Sequence, residues 1–204
     1  MGMDILDSLE VRWFLASGDP ALLALDAWFA ADTPESDRTD HYLVTERNDL
    51  GFKARLVAGQ PARVETKFLV GSLGPVQLGP DAIGVLERWR KVSFVTDDAD
   101  LEKEGAWLPV TKSRRLKKIA HDGGQTTAAE LTQLEYTWRG ERTVEWTFGV
   151  EAVGPAPELL AILLAAWQST GEGLAGVSLR SEGSLSYASW LRTRTSTAHG
   201  AGSR

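Results

Sequence analysis

The feature that most constrains this chain is a two-residue alternation of charged and apolar side chains, repeated along most of its length. Successive side chains of a strand point to opposite faces, so such runs must build a sheet with one apolar and one charged face. In 50–58, Lys53 and Arg55 share a face, opposite Phe52, Ala54 and Leu56. In 62–71, Arg63, Glu65 and Lys67 lie opposite Val64, Thr66 and Phe68. In 107–119, Lys112, Arg114 and Lys118 side with Leu116. In 130–138, Gln133, Glu135 and Thr137 face away from Leu134, Tyr136 and Trp138. In 142–153, Thr143, Glu145, Thr147 and Glu151 face away from Val144, Trp146, Phe148 and Val150. The opening run 9–17 sets Leu9, Val11, Trp13 and Leu15 against Glu10, Arg12 and Phe14. With 40–46 and 88–96 this predicts eight strands, mostly joined as hairpins.

Two longer helices interrupt the pattern. Asp19-Pro20 starts one that runs to about Ala31. The other follows Pro155 and Pro157 and stops before Gly171. Gly and Pro crowd residues 72–80, which read as loop, and the segment after Gly79 reads as a short helix. The turn Gly59-Gln60-Pro61, the acidic stretch 97–105 and the turn after His121 complete the connections. SYASWL near the end predicts a short docking helix, and 192–204 a disordered tail. Residues 9–191 read as a single domain of class α+β: an eight-stranded antiparallel β-barrel with helices packed outside.

Charge adds a second constraint. The net charge of the 204 residues is −6, which argues against a general attraction to long nucleic acid or an anionic membrane. Residues 51–118 nevertheless carry 13 Lys/Arg against 8 Asp/Glu, whereas the rest carries 9 against 20. If helices cover the apolar face from outside, the charged face lines the lumen. Buried charges are costly unless matched, so a lumen of this kind calls for a polyanion, a cation or mutual pairing. A triphosphate with a divalent metal meets both signs, Lys and Arg holding phosphate and carboxylates the metal.

These strands resemble the CYTH, or triphosphate tunnel metalloenzyme, superfamily over residues 9–191. The likeness rests on the order and face pattern of EVRWFL, GFKARL, VETKFLVG, ERWRKVSF, VTKSRRLKK, LTQLEYTWRG and EWTFGVEAVG. That family opens on Glu-x-Glu-x-Lys. Here only Glu10 remains, with Arg12 and Phe14 at the next two positions. The resemblance implies metal-dependent hydrolysis of an inorganic or organic triphosphate. The alternative is a non-catalytic polyphosphate- or nucleotide-binding module that has lost its acidic metal motif. It implies catalytic roles for Glu10, Lys53 and Arg55. Phosphate contacts fall to Lys67, Arg90 or Lys91, Lys112 and Arg114. Mg²⁺ or Mn²⁺ falls to Glu10, Glu135, Glu145 and Glu151, with Glu65 in a pairing role.

Other chemistry is poorly served. Cys is absent, which excludes thiol nucleophiles, disulfides and thiolate metal sites and is compatible with a reducing cytoplasm. His41, His121 and His199 are scattered, so oxygen-ligated metals are favoured over transition-metal sites. Gly71 to Gly79 lacks the Lys and helix of a phosphate-binding P-loop. The run Arg114-Arg115-Leu116-Lys117-Lys118 splits between two strand faces and makes a poor nucleic-acid patch. No secretory or membrane-spanning signal is expected, since no basic residue precedes Arg12 and the apolar run 159–167 is too short. The expected localisation is cytoplasmic, and a homodimer is as compatible with the composition as a monomer.

Overall fold

The computed structural model describes residues 3–55, 61–96, 106–120, 126–170, 174 and 176–196. The turn expected at 59–60, the acidic stretch 97–105, His121, His199 and most of the expected tail lie outside these residues.

Eight antiparallel strands close into a barrel. In chain order they are β1 (Met3–Ala16), β2 (Arg38–Leu43), β3 (Leu50–Arg55), β4 (Ala62–Gly79), β5 (Ala82–Thr96), β6 (Trp107–Ala120), β7 (Thr126–Trp138) and β8 (Glu141–Val153). Around the barrel the order is β1-β5-β4-β3-β2-β6-β7-β8, and β8 returns to β1 through pairs such as Glu10↔Glu151 and Arg12↔Gly149. Closure leaves no strand edge unpaired.

The helices are α1 (Ala21–Trp28), α2 (Leu159–Thr170) and α3 (Tyr187–Thr195). The Asp19 carboxylate accepts from the Ala21 amide at 2.9 Å and fixes the start of α1. α1 and α2 cover the barrel from outside. Leu9, Val11, Trp13 and Leu15 of β1 pack there with Phe148 and Val150 of β8, beneath Leu25, Leu159, Leu163 and Trp167. Trp13 stacks on Phe148 at 6.0 Å. The apolar face of the alternation therefore points outward and the charged face inward.

Three expectations needed revision. Residues 72–79 are strand. β4 continues through them by shifting register between Leu69 and Gly71, Ser72 and Gly74, and Gln77 and Gly79, with Gly74 at φ 77°. The segment after Gly79 is also strand, the start of β5. A side chain at Gly84 would meet Val11 at 2.3 Å and Trp13 at 2.5 Å, and the Trp13 indole donates to the Ile83 carbonyl at 3.0 Å. That glycine is a slot for Trp13 in a strand.

The third revision concerns α3, which does not join the outer layer. Trp190 and Leu191 pack with the inward-facing Phe14, Tyr42, Leu108, Val110, Leu134 and Tyr136 and plug one end of the lumen. Ser186 caps the helix by accepting from the Ser189 amide at 3.2 Å. α3 runs to Thr195, so the tail expected from 192 begins inside this helix.

Candidate functional site

Alternation on β1, β3, β4, β5 and β6 directs one face of each strand into a common lumen. There a cavity of about 340 Å³ is lined by nine Lys/Arg and four Glu. The cations come from the six strands β1 to β6, among them Arg12, Arg38, Lys53, Lys67, Lys91 and Lys112. The carboxylates are Glu10, Glu65, Glu130 and Glu151. A fifth acid, Asp40 of β2, is fully buried behind this wall.

Asp40 is the hub of the cationic side. Arg55 Nε lies 3.1 Å from it, Lys53 and Lys112 Nζ each 3.4 Å, and Arg38 Nε 3.6 Å. Burial works against its charge. The surrounding Lys53, Lys112, Arg38 and Arg55 outweigh burial and hold the carboxyl well below the usual carboxylate range. Glu65 takes Lys53 at 2.8 Å, and this contact likewise overcomes burial and lowers it to about 2.

Lys112 is a different case. Its Nζ donates to the Tyr42 hydroxyl at 2.6 Å and lies 4.1 Å over the Tyr187 ring. Burial dominates there and brings the ammonium down to about 8 despite Asp40 and Glu130. Burial also lowers Lys53 and Lys91. Among the described residues Lys91 has no carboxylate within ion-pair distance.

On the opposite wall, Arg12 donates to Glu130 at 3.0 Å and to Thr147 at 3.3 Å. Its guanidinium fills the space above Gly149, where a Cβ would stand 2.8 Å from Arg12 Cζ. Arg114 joins from the far side of Glu130 at 3.0 Å and also binds Glu35. Two buried polar atoms in this wall, Arg12 Nε and the Tyr187 hydroxyl, have no hydrogen-bond partner among the described residues. Orphaned buried donors of this kind call for an explanation such as a ligand or water.

Glu10 and Glu151 face each other across β1 and β8, and Glu87 opposes Glu10 from β5. Lys67 Nζ sits between the first two, at 2.8 Å from Glu10 and 3.1 Å from Glu151. These carboxylates raise the Lys67 pKa against the effect of burial.

The residues expected from the sequence thus separate. Glu10, Lys53, Arg55, Lys67, Lys91, Lys112, Arg114 and Glu151 meet at one cavity. Arg90 does not: on the outer face of β5 it pairs with Asp7 at 2.7 Å, while its neighbour Lys91 points inward. Glu135 lies on the outer face of β7, paired with Arg142 at 2.8 Å. Glu145 is inward but sits at the plugged end, held by Trp190 Nε1 at 2.8 Å, the Tyr136 hydroxyl at 3.0 Å and Arg194.

Asp40, Tyr42, Glu130, Arg38 and Tyr187 escaped the sequence reading. Asp40 and Tyr42 lie on a six-residue strand with little pattern. Glu130 lies within β7, on the face that Leu134 and Tyr136 marked as apolar.

The donor set does not fit Mg²⁺ or Mn²⁺. Among the described residues, no three Asp, Glu or His side chains are grouped to hold a metal ion. An ammonium stands between Glu10 and Glu151, and Arg12 adds a further positive charge beside them.

No family model and no curated protein sequence matches the chain. Solved structures similar to it include a conserved hypothetical protein from Pyrococcus furiosus, 13% identical, with TM-score 0.49 over 89% of this chain and 98% of that one. The PH1012 protein from Pyrococcus horikoshii OT3 is 11% identical, with TM-score 0.47 over 86% and 93%.

Proposed function

We propose that this barrel binds a small polyphosphate through Lys and Arg side chains alone, as a non-catalytic module. The observation that carries the reading is the cation surplus of one cavity, nine Lys/Arg against four Glu, with Asp40 buried behind them. Like charges packed in a low-dielectric lumen repel, and a bound polyanion relieves them. The Lys112 ammonium and the unpartnered Arg12 Nε and Tyr187 hydroxyl supply donors for phosphate oxygens. The resemblance to triphosphate tunnel enzymes supports the same ligand class.

Metal-dependent hydrolysis, the other reading of that resemblance, asks for a second carboxylate where this chain presents Arg12, and Lys67 occupies the space between Glu10 and Glu151.

The test pairs two measurements. Tripolyphosphate in EDTA at about 100 times Kd should raise the melting temperature by roughly 5–10 °C. Phosphate release from tripolyphosphate, ATP and thiamine triphosphate with Mg²⁺ or Mn²⁺ should stay at background. Sustained release from any of them would overturn the non-catalytic assignment, and no thermal shift would overturn the binding assignment.

A further inference from the structure

Lys53 and Lys112 approach the same Asp40 oxygen, Oδ2, each at 3.4 Å. One carboxylate oxygen thus serves two ammonium groups. Lys53 has a second acid, Glu65, at 2.8 Å. Among the described residues Lys112 has no other carboxylate within ion-pair distance. It is also the more deeply buried of the two, with Nζ against the Tyr42 hydroxyl at 2.6 Å and 4.1 Å over the Tyr187 ring. Releasing one proton from this crowded pair therefore costs least at Lys112. Burial, with Arg38 and Arg12, brings its ammonium down to about 8 against the pull of Asp40 and Glu130. Burial and a neighbouring cation are the two features that make a lysine a nucleophile. The Tyr42 hydroxyl beside it stays protonated, because burial and the Asp40 charge push its pKa up. Arg12, Lys53 and Arg114 line the same cavity and can hold a phosphate while the amine reacts.

Going beyond the polyphosphate reading but resting on the same anion-holding cations, we propose that the Lys112 amine forms a reversible imine with the carbonyl group of a small phosphorylated aldehyde or ketone. The Nζ lone pair adds to the carbonyl carbon, and the π pair moves to oxygen. That oxygen takes one proton from nitrogen to give a carbinolamine. The hydroxyl then leaves as water with the second nitrogen proton, and the C=N bond forms. The Tyr42 hydroxyl, in contact with Nζ, relays protons between nitrogen and oxygen. The step needs no oxidant or reductant. The phosphate, held by the lumenal cations, keeps the carbonyl at the amine.

Reductive trapping of the full chain tests this. Glyceraldehyde 3-phosphate or glyceraldehyde is added with cyanoborohydride, which reduces imines to stable amines, and peptide mass mapping locates the adduct. One adduct per chain should form, at Lys112, about 10-fold or more faster with glyceraldehyde 3-phosphate than with glyceraldehyde. Saturating tripolyphosphate should suppress it. Lys112→Arg should abolish it, and Tyr42→Phe should slow it at the same lysine. Mapping on the unaltered chain decides the site even where a variant fails to fold. Label spread over exposed lysines, or formed equally fast with glyceraldehyde, would overturn the inference. An adduct that bound tripolyphosphate does not slow would overturn it as well. So would the absence of an adduct while tripolyphosphate binds, which leaves the polyphosphate reading standing. A selective Lys112 adduct without any tripolyphosphate binding would overturn the polyphosphate reading and leave the imine.

Discussion

At the α3 end of the lumen, one carboxylate meets a full set of donors inside an apolar wall. Glu145 accepts from Trp190 Nε1, the Tyr136 hydroxyl and Arg194, while Phe14 stacks on Trp190 at 5.2 Å and Tyr136 meets it edge-on at 5.3 Å. In the central cavity, built from the same strands, Asp40 alone draws four cations, Lys91 has no ion pair among the described residues, and Arg12 Nε and the Tyr187 hydroxyl are orphaned. Burial is common to both regions, but saturation is not. A buried charge whose partners are complete serves the fold. A buried surplus of one sign with unpartnered donors leaves work for water or for a ligand of opposite sign.

The contrast gives the α3 end a large role in stability. Trp190→Ala removes a fully buried ring and one donor to Glu145. It should cost about 3–5 kcal/mol and lower the melting temperature by roughly 6–20 °C. A loss under about 2 °C would mean that α3 is not the plug. In the central cavity the larger effect should fall on affinity. Lys53→Ala with Arg55→Ala removes two of the four cations at Asp40 and should weaken tripolyphosphate binding by about 100-fold, or about 2.7 kcal/mol. Unchanged affinity would show that these side chains do not face the ligand.

A smaller effect concerns pH. Burial brings Lys112 to about 8, below the usual lysine value, so its charge is lost on raising pH through 8. Tripolyphosphate affinity should fall several-fold between pH 7 and 9, and Lys112→Arg should flatten that fall. The stability linkage has the opposite sign. Between about 8 and the ordinary lysine pKa, the unfolded chain keeps a proton that the folded chain has released, so this group makes stability rise with pH. The facing groups are Asp40, Tyr42, Tyr187, Glu130, Arg38 and Arg12. Burial lowers Lys53 and Lys91 as well, which adds to the loss of affinity as pH rises. The smallest effect belongs outside the barrel. Arg142→Ala breaks the Glu135 pair, whose partners are 69% and 45% exposed, and should leave both the melting temperature and the affinity unchanged.

Where alternation was strong, the sequence located the fold and the side chains that share one cavity. Lys53, Arg55, Lys67, Lys112 and Arg114 share an inward face because period-2 patterning decides orientation once the opposite face is buried. β7 misled because α3 covers its inner face at one end. Leu134 and Tyr136 are apolar and inward, so the polar side carrying Glu135 looked lumenal, and Glu130 on the true inner face was overlooked. In β5 the adjacent Arg90 and Lys91 offered two registers, and only pairing with β1 and β4 separates them. Gly and Pro in 72–80 imitated a loop because register shifts and bulges draw on the same residues as turns. Asp40 was hidden because a lone Asp on a short strand carries no signal until four cations from distant segments converge on it.

The central claim is that the lumen's surplus positive charge holds a small polyphosphate without a metal ion. Calorimetric titration of the full chain with tripolyphosphate in excess EDTA tests it most directly. The account predicts saturable binding near one ligand per barrel, with affinity unchanged when EDTA is replaced by Mg²⁺. Binding that is undetectable in EDTA and restored by Mg²⁺ or Mn²⁺ would contradict it, because the Glu10–Lys67–Glu151 cluster would then be a metal site.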